Sequence, residues 1–196
     1  MKLYYSPAAC SMASHILLNE WNIPHTTEAV DLRTHKTSKG EDFYKINPKG
    51  YVPALTLDNG YTLTENIAIL SYLSDANGTL KGDKHQFLEW LAFISTELHK
   101  GIGSLFGYKD GPQEVVRAIK EKVAKRLLWV DEKLGSREYV FADAFSAADA
   151  YLVTVLNWCP MLQVDLSAYK NINTYFKRHI ARPSVQKTLR EEGLVK

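Results

Sequence analysis

Apolar and polar positions along this chain follow one pattern in its first eighty or so residues and another afterwards. Lys2–Ser6 is a short β-type run that stops at Pro7. From Ser11 to Trp21 the apolar residues fall at 12, 13, 16, 17 and 21, the spacing of one helix face. Thr26–Leu32 reads as a second strand, and Arg33–Gly40 is polar and basic, a loop. Asp42–Ile46 fits a short helix that the turn composition of Asn47-Pro48-Lys49-Gly50 would end. Ala54–Asp58 and Tyr61–Leu63 flank Asn59-Gly60, the strongest hairpin signal in the chain. Thr64 then stands where a helix cap is expected, with Glu65 in the first turn of a helix running to about Leu73. The order is β-α-β-α-β-β-α. Strands joined through a helix should run parallel, and the hairpin should add antiparallel partners.

After a polar, glycine-containing stretch over Asp75–Asp83, read as a linker, the strand signals vanish. Gln86–Leu98 is amphipathic, with apolar residues at 87, 88, 91, 94 and 98. Pro112 suits the first turn of a long helix ending near Leu134-Gly135. Ser146 and Asp149 make a capping-box pair at the start of a strongly apolar segment, Tyr151–Trp158, expected to be central and buried. Ile172–Ile180 and Val185–Glu192 supply two more helices, separated by Arg182-Pro183. The expected fold class is therefore α/β plus all-α. A thioredoxin-like domain over residues 1–79 precedes an all-helical domain over 85–196.

Composition narrows the function. Apolar residues make up 45% of the 196, enough for a proper core, and the net charge is only +2. The basic cluster Arg117–Arg126 carries acids and apolar residues at helical spacing, so it reads as a solvated face and nucleic acid is not an expected partner. No apolar stretch reaches about 18 residues, and none of signal-peptide length follows Met1, so no membrane is expected and a cytoplasmic setting is. The histidines lack the spacing of a metal site.

The candidate chemistry begins at Cys10, between the first strand and the first helix. A thiol at a helix start is expected to meet unpaired N–H groups and the positive end of the dipole, both favouring thiolate. Cys10-Ser11-Met12-Ala13 offers no resolving cysteine three residues on, so a dithiol cycle is excluded and an external thiol, glutathione, is the expected partner. Val52-Pro53 before the third strand suggests a cis bond that presents the Val52 backbone to an extended peptide. Backbone N–H groups at Glu65-Asn66 suit a carboxylate, and the Glu65 side chain suits an ammonium, the two charges of a γ-glutamyl end. His15 either tunes the thiol or packs, and Cys159 reads as core.

These stretches resemble the glutathione transferases, and within them the bacterial beta class. The resemblance is carried by Met1-Lys-Leu-Tyr-Tyr5, Ala9-Cys10-Ser11, Asn47-Pro-Lys-Gly50 with Val52-Pro53-Ala54-Leu55, Leu63-Thr-Glu65, Thr96-Glu-Leu-His-Lys100, Ala148-Asp-Ala-Tyr-Leu152 and Arg182-Pro183. It implies a homodimeric transferase joining glutathione to small hydrophobic electrophiles, with no metal. It implies that Cys10 lies against the glutathione sulfur, able to form a mixed disulfide, and that His99 reaches the same sulfur across a cleft, with Lys100 nearby. Only through this resemblance do Ser11 and Tyr5 enter, as weaker alternatives to Cys10. Val52 and Pro53 would bind the cysteinyl part, and Glu65 and Asn66 the γ-glutamyl part. Thr96 and Glu97 would lie near the dimer interface. Where the family often carries a lysine for the glycyl carboxylate, this chain has His35 and Lys36, and its Asn66 stands where glycine is usual. Thiol–disulfide exchange through Cys10 and a non-catalytic regulatory or assembly role on the same fold are the rival expectations.

Overall fold

A computed structural model describes every residue except Thr79, Lys81 and Lys196. The chain groups into two units, Met1–Thr79 together with Arg182–Lys196, and Leu80–Ala181.

The first unit is built on a five-stranded sheet in the order β3-β2-β1-β4-β5. Its strands are β1 (Lys2–Tyr5), β2 (Thr26–Asp31), β3 (Lys36–Thr37), β4 (Ala54–Thr56) and β5 (Thr62–Thr64). β1 runs parallel to β2, as a strand–helix–strand connection requires, and antiparallel to β4; the β4–β5 hairpin turns through Asn59-Gly60 as expected. The two-residue β3 lies inside the segment expected to be all loop. It is too short to show a period, and it forms because β2 offers it an open edge.

Side chains of paired residues share a face of the sheet. On one face Tyr4, Val30 and Ala54 join Phe43 and Val52 in a small core, partly covered by Ala9 and Ile46. Phe43 arrives there on a 3-10 turn (Phe43–Lys45) that Asp42 caps by accepting the Tyr44 N–H. On the other face Leu3 and Leu55 are fully buried. Helix α1 (Met12–Glu20) is buried from Met12 to Asn19 and packs against both α2 (Asn66–Asn77) and the last helix, α8 (Pro183–Glu191). A helix covered on all sides needs partners all round, and the carboxyl end of the chain supplies one. Residues 182–196, placed with the helical domain by the sequence reading, thus pack in the first unit. The Asp75–Asp83 linker assignment starts too early, because α2 continues to Asn77 and ends on Gly78 in the left-handed conformation; its residues 79 and 81 lie outside the described residues.

The second unit is helical. α3 (Lys84–Phe93), capped by the Asp83 carboxylate, continues without a break into a π-helical segment (Ile94–His99) and then α4 (Lys100–Gly107). The sequence predicts an ordinary helix ending at Leu98. The wider π turn inserts an extra residue and re-phases the side chains of Thr96–His99, a feature frequent at functional sites. α5 (Gln113–Leu134) follows Pro112, and α6 (Ala147–Leu156) is buried along all ten residues, as its apolar run predicts. α7 (Lys170–Ile180) completes the unit. Among the described residues no helix is long and apolar enough to cross a membrane.

Candidate functional site

Cys10 lies half-buried in the turn between β1 and α1, one residue before the helix N-cap Ser11. The turn is tightly closed. Ser11 Oγ accepts the Ser6 N–H at 3.2 Å, and the Met12 and Ala13 N–H groups donate to the Ala9 and Cys10 carbonyls at 3.0 and 3.2 Å. Those first-turn donors, expected to face the thiol, are therefore already taken. Cys10 Sγ instead donates to the Val52 carbonyl at 3.4 Å, a contact open to a thiol and not to a thiolate. Ala8, two residues earlier, holds φ +59°, a left-handed conformation costly for a residue with a Cβ, and its N–H donates to Glu192 Oε2 at 2.9 Å.

The Val52–Pro53 peptide is cis, as the proline predicts. The Val52 N–H finds no acceptor among the described residues although Val52 is 4% exposed, and a buried N–H left unpaired is rare unless something else is to fill it. The loop leading to it turns at Gly50, φ +73°, where a Cβ would come within 2.6 Å of the Tyr44 ring, so only glycine fits. The Gly50 carbonyl lies 2.9 Å from His35 Nδ1, and the His35 ring rests on Tyr44 with centroids 4.6 Å apart. His35 itself has φ +51°. Lys36 belongs to β3, paired with Asp31, and lines a groove of about 640 Å³ with Ser6, Pro7 and Thr34; His35 does not. The two candidates for the glycyl carboxylate are thus separated, and only His35 touches the Gly50 loop.

Thr64 is the last residue of β5, and Glu65, expected in the first turn, is the N-cap of α2 with φ +71°. Its side chain does not cap the helix. It accepts from Tyr51 OH at 3.2 Å and pairs with the Lys49 ammonium, which also donates to Thr64 Oγ1 at 2.9 Å. The Glu65 carboxylate beside it holds the Lys49 pKa above its usual value. Asn66 opens the helix, its Oδ1 accepting from Ser14 Oγ at 3.3 Å. Lys49 and Tyr51 were not singled out from the sequence. Their order in the loop carries no signal of which carboxylate they reach.

In the second unit Thr96, Glu97, His99 and Lys100 lie on or beside the π turn. Thr96 Oγ1 bonds back to the Ala92 carbonyl at 2.9 Å, and Lys100 is exposed. Glu97 receives Arg126 Nε at 2.5 Å, and that hydrogen bond holds its pKa below the ordinary range. His99 Nδ1 lies 2.6 Å from the hydroxyl of Tyr151, a fully buried residue of α6, and the imidazole meets the Trp158 ring edge-on at 5.0 Å. Burial, with a smaller push from Lys100, brings the His99 pKa down to about 4, so the ring is neutral at physiological pH.

The weaker candidates resolve into structure. Burial and the nearby Glu192 and Glu191 push the Tyr5 pKa up, and its hydroxyl faces the Glu191 carbonyl. His15 is fully buried between α8 carboxylates, with Nε2 3.0 Å from Glu191 Oε2 and Nδ1 3.0 Å from Glu192 Oε1. Cys159 is buried, its thiol pKa pushed up to about 12, and it serves as core.

Two family models match the chain, the glutathione S-transferase N-terminal domain over residues 8–76 and the C-terminal domain over residues 93–183. A glutathione S-transferase of Escherichia coli O157:H7 is 40% identical, covering 99% of this chain and all of its own length. The structure of a sphingomonad glutathione S-transferase complexed with glutathione superposes with a TM-score of 0.91 at 40% identity over the whole of both chains. A bacterial beta-class glutathione S-transferase of Sphingomonas chungbukensis gives 0.92 at 40% identity, again over both whole chains.

Proposed function

Because the chain belongs to the glutathione S-transferase family, we infer that it joins the thiolate of glutathione to small apolar electrophiles. The observation that carries this reading is at Val52. A buried strand-entry residue has an N–H with no acceptor among the described residues, and its carbonyl is held by a thiol that can let it go. An extended peptide paired with Val52 as a strand would bring a cysteinyl side chain beside Cys10.

The remaining assignments follow the chemistry of the ligand. The γ-glutamyl ammonium takes the Glu65 carboxylate in exchange for Lys49, and its carboxylate takes the backbone N–H at Asn66, at the positive end of α2. The glycyl carboxylate, at the opposite end of the peptide, is held by His35. Pro53 fixes the Val52 backbone. The Cys10 thiol donates to the glutathione sulfur in place of the Val52 carbonyl, and the resemblance assigns His99, neutral at physiological pH, as a second donor to it. Donors placed where negative charge sits lower the sulfur's pKa, so that the thiolate attacks near neutral pH and the leaving group departs as an anion. By resemblance, Lys100 is assigned to the neighbourhood of the sulfur beside His99, and Thr96 and Glu97 to that of a homodimer contact, Glu97 serving the neighbouring subunit's ligand. The compartment that fits Cys10 and Cys159 as thiols, neither in a disulfide among the described residues, is the cytoplasm.

Initial rates with glutathione and a chlorinated nitroaromatic test the reading. Saturable, enzyme-dependent formation of the thioether supports it, and a rate equal to the uncatalysed background overturns it. The half-buried Cys10 thiol, with no second cysteine three residues on, favours a second activity. Its thiolate attacks the glutathione sulfur of a mixed disulfide and expels the substrate thiolate, and a second glutathione then releases oxidised glutathione. Loss of exchange with retained conjugation in Cys10→Ala would separate the two activities.

A further inference from the structure

We propose that Tyr151 is a positioning residue for His99, its phenol donating a hydrogen bond to Nδ1 and fixing the ring as the Nε2–H tautomer. The proposal rests on the reading of His99 as a donor to the glutathione sulfur.

Three observations carry it. The first is the length of the contact. At 2.6 Å between Tyr151 Oη and His99 Nδ1 it is shorter than the usual N–H···O distance of about 2.9 Å and matches an O–H donor. The proposal assigns the shared proton to the phenol. The second is the packing. Tyr151 is fully buried within α6, an element with ten buried residues, so its hydroxyl is carried by one of the least adjustable parts of the unit. The Tyr151 and Trp158 rings both meet the imidazole edge-on, with centroids 5.8 and 5.0 Å away, and restrict its rotation. The third is the π turn that ends at His99. One extra backbone residue in the turn sets the angle at which His99 leaves its helix, and so brings Nδ1 onto the Tyr151 hydroxyl.

A neutral imidazole has one N–H and one lone pair. If Tyr151 occupies the lone pair on Nδ1, the proton must be on Nε2, and the ring can only donate there. Without the hydroxyl the two tautomers would compete, and the one with its lone pair on Nε2 would repel a sulfur anion. Tyr151 thus acts through His99 and touches no reacting atom.

Nuclear magnetic resonance of protein labelled with ¹⁵N-histidine tests this directly, because the nitrogen shifts report which ring atom is protonated. In the wild type His99 should be protonated at Nε2 alone between about pH 5 and 8. In Tyr151→Phe, which keeps the ring and its packing, a mixture of tautomers should appear. kcat for conjugation should then fall about 3- to 10-fold with little change in KM for glutathione, the loss of one hydrogen bond felt mainly in the transition state. A wild-type ring protonated at Nδ1 overturns the proposal even if the variant does not fold, and so does a Tyr151→Phe protein with unchanged tautomer and kcat. A wild-type protein with the expected tautomer but no turnover of glutathione would instead defeat the functional reading and leave the positioning contact standing.

Discussion

His15 and Glu192, 177 residues apart in the chain, meet in the core of the first unit, with His15 Nδ1 3.0 Å from Glu192 Oε1. The other oxygen of the same carboxylate accepts the Ala8 N–H at 2.9 Å, so one side chain ties the last helix both to α1 and to the turn that carries Cys10. Removing it takes the Nδ1 partner from a fully buried histidine and an acceptor from the Ala8 N–H. Glu192→Ala is expected to lower stability by about 1–3 kcal/mol, the cost of removing an acceptor from buried donors. Chemical denaturation measures it, and a loss below about 1 kcal/mol would mean that the contact is no stronger than a surface pair.

Asp149 plays the corresponding part in the second unit. Its wholly buried carboxylate accepts from the Val140 N–H at 2.8 Å, the Ser146 N–H at 2.9 Å, Ser146 Oγ at 2.7 Å and Tyr175 OH at 2.8 Å. Burial raises its pKa to about 6 in spite of those donors. Asp149→Ala removes the capping box and leaves several buried donors unpaired. A loss of about 3–5 kcal/mol is expected, seen as a fall in the midpoint of thermal unfolding.

The depressed pKa of His99 has a sign that can be checked. Folded, the ring takes up a proton only near pH 4, while unfolded it does so near 6.5. The unfolded chain therefore binds more protons in between, and stability falls as pH drops from about 6.5 towards 4. The ceiling on this loss is about 3 kcal/mol. His99→Gln, which can still accept from Tyr151, should unfold with a shallower dependence on pH over that window. Equal slopes for the two proteins would show that another group sets the acid limb.

Much of this arrangement is written in the sequence, and what is missing has definite causes. The parallel β1–β2 pair, the Asn59-Gly60 hairpin, the cis Val52–Pro53 bond and the Ser146–Asp149 cap each rest on residues within a few positions of one another, so local chemistry suffices to read them. The partners of Glu65 and His15 do not. Lys49 lies sixteen residues from Glu65, and Glu192 far from His15, and no spacing rule reports such meetings. The π turn is invisible for a different reason, since the apolar positions of Gln86–Leu98 satisfy an ordinary helix equally well. Tyr151 did leave a trace, as the polar-tipped ring in a run of buried apolar residues, where a phenol hydroxyl needs a partner. The left-handed backbone at Ala8, His35 and Glu65 had none, because none of the three is a glycine.

Glu65 is occupied before any ligand arrives, by the Lys49 ammonium and the Tyr51 hydroxyl. Glu65→Gln removes the charge that the γ-glutamyl ammonium would exchange for and keeps the size of the side chain. KM for glutathione is expected to rise about 10-fold, in keeping with one charge-assisted hydrogen bond, while a glutathione analogue lacking that amino group should be affected little. Equal losses for both ligands would place the ammonium elsewhere.

The central claim is that Val52 and Cys10 receive glutathione. Titration calorimetry of the wild-type protein with reduced glutathione tests it most directly. The account predicts saturable binding with a dissociation constant between about 1 μM and 1 mM, weakened in Cys10→Ala. No heat of binding with glutathione raised to about 10 mM, well above that range, would contradict it.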